Sequence, residues 1–129
     1  MIEPDFLSLE DVLQIHSEQI DVYGGIHGIR DQGLLESAIM TPQASFGGEY
    51  LHNGLFEMAA AYAFHIAENQ PFLDGNKRTA LSSALVFLDL NGIEVLDPEE
   101  KLYQMMIDIA NRKADKYALA ELLSSLPTK

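Results

Sequence analysis

Residues 70–79 read Gln-Pro-Phe-Leu-Asp-Gly-Asn-Lys-Arg-Thr, and this stretch is the most informative in the chain. It combines an apolar anchor, a carboxylate, a glycine turn, an amide and two cations within ten residues. A pattern of apolar residues at helical spacing follows directly. That order is typical of a loop that holds a phosphate at the N-terminus of a helix, where backbone N–H groups have no helical partner.

The residue types of this motif each suit one part of such a site. Gly75 permits a backbone turn that a Cβ would hinder. Arg78 can hold two phosphate oxygens in a fork, while Lys77 supplies a point charge. Asp74 is a single carboxylate beside the expected phosphate, which suits Mg²⁺, since this ion takes few protein ligands and completes its shell with phosphate and water. Phe72 is predicted to insert into the core and fix the loop.

A plain turn between two helices explains the same residues. Asp74 could cap the following helix, and Asn76 could satisfy carbonyl groups of the loop. The spacing matches neither a P-loop nor a Rossmann glycine fingerprint. The residues alone therefore leave a phosphate loop and a structural turn both open.

The composition limits the classes of function. The chain has 129 residues, with 20 acidic and 8 basic side chains and a formal net charge of −12. Such a field repels nucleic-acid phosphates, so we expect no nucleic-acid partner. The absence of cysteine excludes disulfides and thiolate chemistry. No apolar run approaches the ~18 residues of a membrane span, and the N-terminus is acidic, so we expect a cytoplasmic protein with no membrane partner.

Apolar periodicity predicts a single all-α domain over residues 1–129. The predicted helices begin near Ser8, Asp31, Asn53, the motif, Pro98 and Asp115. The third helix is apolar around most of its axis, which is typical of a central, buried helix. Residues 43–52 break the helical pattern, and their Gly47-Gly48 pair favours a flexible loop or a small β-hairpin.

The four histidines give no metal-ligand spacing. His16, His27 and His52 are expected on the surface or in loops, and His52 could contact a target protein. His65 lies on the central helix, where a hydrogen-bonded core histidine is the favoured interpretation.

The motif and its flanks resemble a known family. Residues 74–81, Asp-Gly-Asn-Lys-Arg-Thr-Ala-Leu, with Pro71-Phe72 before them, resemble the core motif of the Fic/death-on-curing (Fido) superfamily. Residues 28–38 and 61–67 resemble its death-on-curing branch, and the resemblance extends from Leu7 to the last helix. It implies an all-helical bundle with a small flap beside the active site, which we assign to residues 43–52 and expect to dock the target.

The resemblance also implies a function. Family members use ATP or another nucleotide with Mg²⁺ and transfer part of it to a protein hydroxyl. Death-on-curing toxins phosphorylate elongation factor Tu and stop translation, other branches transfer AMP, and many are neutralised by a cognate antitoxin. The implied roles are Asp74 for the metal and the acceptor, Arg78 for phosphate, and Phe72, Gly75, Asn76 and Lys77 with Arg78 for the nucleotide.

Gln70 departs from the family pattern, which has a histidine there. That histidine takes the proton of the attacking hydroxyl, whereas an amide cannot, and loss of a general base costs ~10²–10⁴-fold in rate. Three explanations are open. Gln70 could be an introduced inactivating substitution, it could belong to a catalytically silent domain that binds nucleotide or antitoxin, or another group such as His65 could act as the base.

Overall fold

The computed structural model describes residues 3–129 and shows a helical bundle. Its helices are α1 Leu9–Tyr23, α2 Gln32–Met40, α3 Leu55–Asn69, α4 Asn76–Leu90, α5 Lys101–Ala110 and α6 Lys116–Ser125. A 3₁₀ turn, Thr41–Gln43, follows α2, and two short strands, β1 Ser45–Phe46 and β2 Glu49–Tyr50, form an antiparallel hairpin. The predicted all-α class with a small hairpin is confirmed. Within residues 3–129, none of the helices has the length and hydrophobicity needed to traverse a bilayer.

Helix α3 forms the centre of the bundle. It packs mainly against α4, and also against α2 and α6. Its fully buried residues include Ala59, Ala60, Ala61, Tyr62, Ala63 and Ile66. The alanines let neighbouring helices approach closely, and the Tyr62 hydroxyl accepts the Leu7 N–H at 2.9 Å, so its polar end is satisfied. The motif therefore follows an element that is held on several sides.

Side-chain caps fix three of the predicted helix starts. Ser8 and Asp11 form a capping box on α1, with each side chain bonded to the other residue's backbone N–H. Asp31 accepts the Leu34 N–H at the start of α2. Asp115 accepts the Ala118 N–H at the start of α6. These short-range caps are visible in sequence because donor and acceptor are three residues apart.

Two predicted helix starts are wrong. Helix α3 begins after Gly54 rather than after Asn53, whose backbone N–H donates to the Glu57 carboxylate. Helix α5 begins at Lys101 rather than near Pro98. The Asp97 carboxylate accepts the N–H groups of Lys101 and Leu102, which places the first turn of the helix beyond the proline.

The hairpin lies at the opposite end of α3 from the motif. Gly47 and Gly48 have φ values of +62° and +84°, as a tight turn requires. The hairpin borders a cavity of about 810 Å³ together with Leu55 and Met58 at the start of α3 and Asn91 at the end of α4. The motif joins the other ends of these two helices, and 15 helical residues span ~22 Å. The expectation that residues 43–52 form a flap beside the motif is wrong.

Candidate functional site

The motif loop lines a cavity of about 420 Å³, a volume in the range of small-ligand sites. The end of α3, the loop, the first turn of α4 and the end of α5 form its walls. Six residues singled out in the sequence line it together: Gln70, Asp74, Gly75, Asn76, Lys77 and Arg78. Phe72 does not line it, because this ring is buried beneath the loop with 1% exposure.

Phe72 and His16 form the floor under the loop. Their rings stack with centroids 3.8 Å apart and planes 5° apart. His16 Nε2 donates to the Asp74 carbonyl oxygen at 2.9 Å, and burial lowers the pKa of His16, which favours the neutral ring. The prediction that His16 lies on the surface is wrong. A signal was present, since Val12, His16 and Ile20 share one face of α1 at a spacing of four.

Asn76 closes the loop and leaves the start of α4 open. Its Nδ2 donates to the Phe72 carbonyl at 3.0 Å, and its Oδ1 accepts the Phe72 N–H at 2.9 Å. The predicted structural role of Asn76 is therefore confirmed. The first hydrogen bond of α4 runs from the Thr79 N–H to the Gly75 carbonyl, so the preceding amides of the first turn have no helical acceptor. Gly75 has a φ of +74°, as the turn into α4 demands.

Asp74 is held by two backbone donors. Its Oδ1 accepts the Gly75 N–H at 2.8 Å, and its Oδ2 accepts the Ile26 N–H at 3.2 Å. It does not cap α4, whose N-cap is Gly75 without a side-chain cap, so the capping alternative is wrong. A Cβ at Gly25 would lie 2.7 Å from Oδ2, which shows how tightly the chain packs around this carboxylate.

The donor set around Asp74 fits a magnesium ion better than a transition metal. Residues 3–129 contain no group of three or more histidine, cysteine, aspartate or glutamate side chains that could hold a metal. Two carboxylates, Asp74 and Glu68, line the cavity, and Asp74 is the one within the motif loop. A small set of carboxylates beside cations suits Mg²⁺ carried by phosphate oxygens, because that ion keeps water and substrate ligands. Asp74 is the motif residue that could contribute such a ligand.

Residues 24–31 cross the motif as an extended segment. The Leu73 N–H donates to the Gly28 carbonyl at 3.1 Å, and Ile29 and Phe72 form an antiparallel bridge. Ile26 is 63% exposed and Leu73 is 54% exposed, so an apolar surface lies beside Asp74. The position of this segment at the site could not be predicted from local sequence, because its backbone hydrogen bonds to the motif join residues 40 or more positions apart in the chain.

The two motif cations reach the cavity from the first turn of α4. Arg78 Nη2 donates to the Gly24 carbonyl at 3.0 Å, and the guanidinium lies 5.4 Å from the centre of the Tyr23 ring. The bond to Gly24 uses one of the five guanidinium donors. Lys77 is exposed. Arg78 is therefore oriented by the end of α1, whereas Lys77 is a mobile charge on a flexible stem.

Gln70 caps the end of α3 in a left-handed conformation, with φ 45° and ψ 57°. Its carbonyl accepts from Arg30 Nε at 2.7 Å, and Arg30 Nη2 donates to the Asn69 carbonyl at 2.8 Å. These bonds satisfy the last carbonyls of α3 and fix the point where the motif begins. Gln70 thereby lines the same cavity as Asp74.

The histidine on α3 belongs to a different cluster. Lys116 Nζ donates to His65 Nε2 at 3.1 Å and to His52 Nε2 at 2.9 Å. Burial lowers the pKa of His65 to about 4, and it also lowers the pKa of His52. His65 is therefore a hydrogen-bonded structural histidine and does not line the motif cavity, so its candidacy as an alternative base fails. His52 lies in the loop before α3, as predicted, but it is buried with 5% exposure, whereas His27 is exposed.

Comparison with known proteins agrees with this arrangement. The profile of the Fic/DOC family matches residues 6–88, which span α1 to α4 and the whole motif. The chain belongs to the Fic/DOC family. It is 37% identical over 120 residues to "Protein kinase doc" of Escherichia phage P1, covering 93% of this chain and 94% of that protein. It is 34% identical over 122 residues to "Toxin Doc" of Mycolicibacterium smegmatis, covering 93% of this chain and 92% of that protein. The Fic/DOC match thus includes every motif residue that lines the cavity.

Proposed function

We propose that this Fic/DOC protein is a Doc-like toxin of a toxin–antitoxin module, and that it transfers phosphate from Mg-ATP to a hydroxyl of a target protein. The observation that supports it most is the cavity that gathers Asp74, Lys77 and Arg78 around the open first turn of α4. The name of one relative, a protein kinase, favours phosphate transfer over AMP transfer, and the name of the other favours a toxin.

The motif divides into a binding part and an acceptor part. The first amides of α4 and the Arg78 guanidinium are assigned to the phosphates, since both are donors suited to an anion. Lys77 adds charge to the same wall. Asp74 is assigned to Mg²⁺, which would neutralise phosphate charge, and to the orientation of the acceptor hydroxyl.

Gln70 is assigned to the position of the family histidine. Its amide can orient a hydroxyl by hydrogen bonding but cannot take the proton at neutral pH. We therefore propose that the transfer step is impaired, by ~10²–10⁴-fold for loss of a general base, while nucleotide binding is retained.

The target and the antitoxin are proposed as protein partners. We assign the target, a translation factor such as elongation factor Tu, to the segment of residues 24–31 rather than to the hairpin. The exposed side chains of Ile26 and Leu73 support this, because they form an apolar surface next to Asp74. A cognate antitoxin would silence the toxin by covering this end of the bundle.

The decisive experiment restores the base. Gln70→His, incubated with Mg-ATP and cell extract, should label a protein about 10²–10⁴-fold faster than the unchanged chain. Label from the γ position of ATP indicates a kinase, and label from the α position indicates AMP transfer. The matched control, Gln70→Asn, keeps an amide and should stay inactive. If Gln70→His transfers no label to any protein from either γ-labelled or α-labelled ATP, the enzyme proposal is refuted.

A second candidate is a silent domain that binds nucleotide or antitoxin without turnover, and Gln70 is the observation that favours it. It requires that the unchanged chain bind Mg-ATP in calorimetry, that Arg78→Ala weaken this binding, and that Gln70→His gain no activity. Equal binding by the unchanged chain and Arg78→Ala would contradict the assigned pocket in both candidates.

A further inference from the structure

Arg112, outside the motif, lines the same cavity as Lys77 and Arg78. It follows α5, so it enters from the wall that the motif does not provide. Neither the motif spacing nor the family match at residues 6–88 includes it. The cavity therefore has a third cation, which the motif does not supply.

The backbone at Arg112 is unusual. Its φ is +59°, and the described non-glycine residues with positive φ are Gln70, Glu100 and Arg112. Two of these three line the motif cavity. Glycine adopts this conformation at lower cost, and strained backbone positions cluster at functional sites. The backbone conformation at position 112 would therefore favour glycine, and it does not explain why an arginine is found there.

The charge of the cavity depends on Arg112. Lys77, Arg78 and Arg112 contribute three positive charges, and Glu68 and Asp74 contribute two negative charges. The cavity is net positive in a chain whose net charge is −12, and without Arg112 it would be neutral. A net positive cavity in an acidic protein attracts a polyanion.

Glu68 holds Arg112 only weakly. The Nη2 atom of Arg112 lies 4.0 Å from Oε1 of Glu68, and the two side chains are 86% and 46% exposed. Exposed pairs of this kind contribute little, so the guanidinium can exchange this carboxylate for another anion at small cost. Its planar fork matches the oxygens of a phosphate.

We propose that Arg112 is a second phosphate-binding arginine, which contacts the nucleotide phosphates from the α5 side of the cavity while Arg78 contacts them from α4. This proposal rests on the proposed function, because it requires that the cavity bind a nucleotide. Arg112 would then be a binding residue outside the motif, and the group that it recognises would be the polyphosphate of the nucleotide.

The test compares Arg112→Gly with Lys113→Ala by calorimetry against Mg-ATP and Mg-pyrophosphate. Glycine suits the positive φ, so Arg112→Gly should fold, which its thermal midpoint would confirm. Lys113 is the neighbouring cation, which lines an adjoining cavity but not the motif cavity. We expect Arg112→Gly to lower the affinity for both ligands by about tenfold, as for loss of a charged hydrogen bond. Lys113→Ala should change either affinity by less than about twofold.

Four results would overturn the proposal. If Arg112→Gly binds normally while Arg78→Ala does not, only the Arg112 assignment fails. If Lys113→Ala weakens the binding of Mg-ATP as much as Arg112→Gly does, the loss comes from the lower positive charge of the region and not from a contact of Arg112. If Arg112→Gly weakens the binding of Mg-ATP but leaves the binding of Mg-pyrophosphate unaffected, Arg112 contacts the nucleoside instead. If neither the unchanged chain nor Gln70→His binds Mg-ATP, the Arg112 proposal and the proposed function fail together.

Discussion

At the scale of single residues, the site depends on contacts that hold Asp74 in place. The carbonyl of Asp74 accepts from His16, and its carboxylate accepts from Gly75 and Ile26. Three backbone or ring donors thus fix one acidic residue between the core and the cavity. The carboxylate is oriented before any ligand binds, which would lower the cost of assembling the proposed metal site.

We expect Gly25→Ala to damage the site more than Gly24→Ala. Both glycines have positive φ, +125° and +84°, so an alanine is strained at either, at about 1–3 kcal/mol in the free energy of unfolding. At Gly25 the new Cβ would also meet Asp74 Oδ2 at 2.7 Å, whereas at Gly24 nothing lies within 4 Å. Denaturant unfolding should show both losses, and calorimetry should show a larger loss of Mg-ATP binding for Gly25→Ala than for Gly24→Ala. Equal nucleotide binding by the two variants would contradict the tight packing against Asp74.

At the scale of elements, a cluster of titratable groups joins three segments. Lys116 on α6 donates to His65 on α3 and to His52 in the loop before α3. Burial lowers the pKa of Lys116, and the nearby Glu57 carboxylate on α3 opposes this shift. The bonds require neutral imidazoles as acceptors, so the junction is sensitive to acid.

We expect acid to weaken the fold through His65. Burial and Lys116 lower its pKa from 6.5 to about 4, so the unfolded chain binds the proton more readily. The stability that the neutral His65 contributes to the folded state is complete above pH 6.5. It is lost as the pH falls toward 4. Between pH 7 and pH 5 the loss should be about 1–2 kcal/mol after allowance for partial exposure. His65→Gln keeps an acceptor for Lys116 and should flatten this slope in denaturant titrations.

The exposed histidine gives the control for this titration. The matched substitution His27→Gln changes a histidine whose side chain is 58% exposed and pairs with Asp21 at the surface, so it leaves the buried cluster of His65, His52 and Lys116 intact. If His65→Gln and the unchanged chain lose the same stability between pH 7 and pH 5, the buried cluster is not the cause.

At the scale of the whole molecule, local features were predictable and long-range ones were not. Periodicity predicted the helices, and caps at Ser8, Asp31 and Asp115 fixed three starts, since both depend on residues a few positions apart. The motif also predicted six residues that line one cavity. The contact of His16 with Asp74 joins residues 58 positions apart, and no spacing rule reveals it.

The same reason explains why the flap was predicted at the wrong end of the bundle and why Arg112 was not predicted as a site residue. A hairpin is a local structure, so its glycines predicted it, but which end of the bundle it occupies depends on how α2 and α3 run past each other. Residues 24–31 reach the motif because α1 packs against α4. Arg112 reaches the cavity only through the position of α5. Packing of elements, rather than local pattern, completes the candidate site.

The target should therefore meet the motif end of the bundle rather than the hairpin end. Phe46 on the hairpin is 82% exposed and Ile26 beside Asp74 is 63% exposed, so replacing either with serine should leave the free energy of unfolding nearly unchanged. In the Gln70→His background, we expect Ile26→Ser to lower the rate of target labelling about five- to tenfold, as for loss of one apolar anchor at an interface. Phe46→Ser should label the target at the parent rate. The reverse ranking would return the docking role to residues 43–52, since both variants share one fold and one motif and differ only in the end of the molecule that is changed.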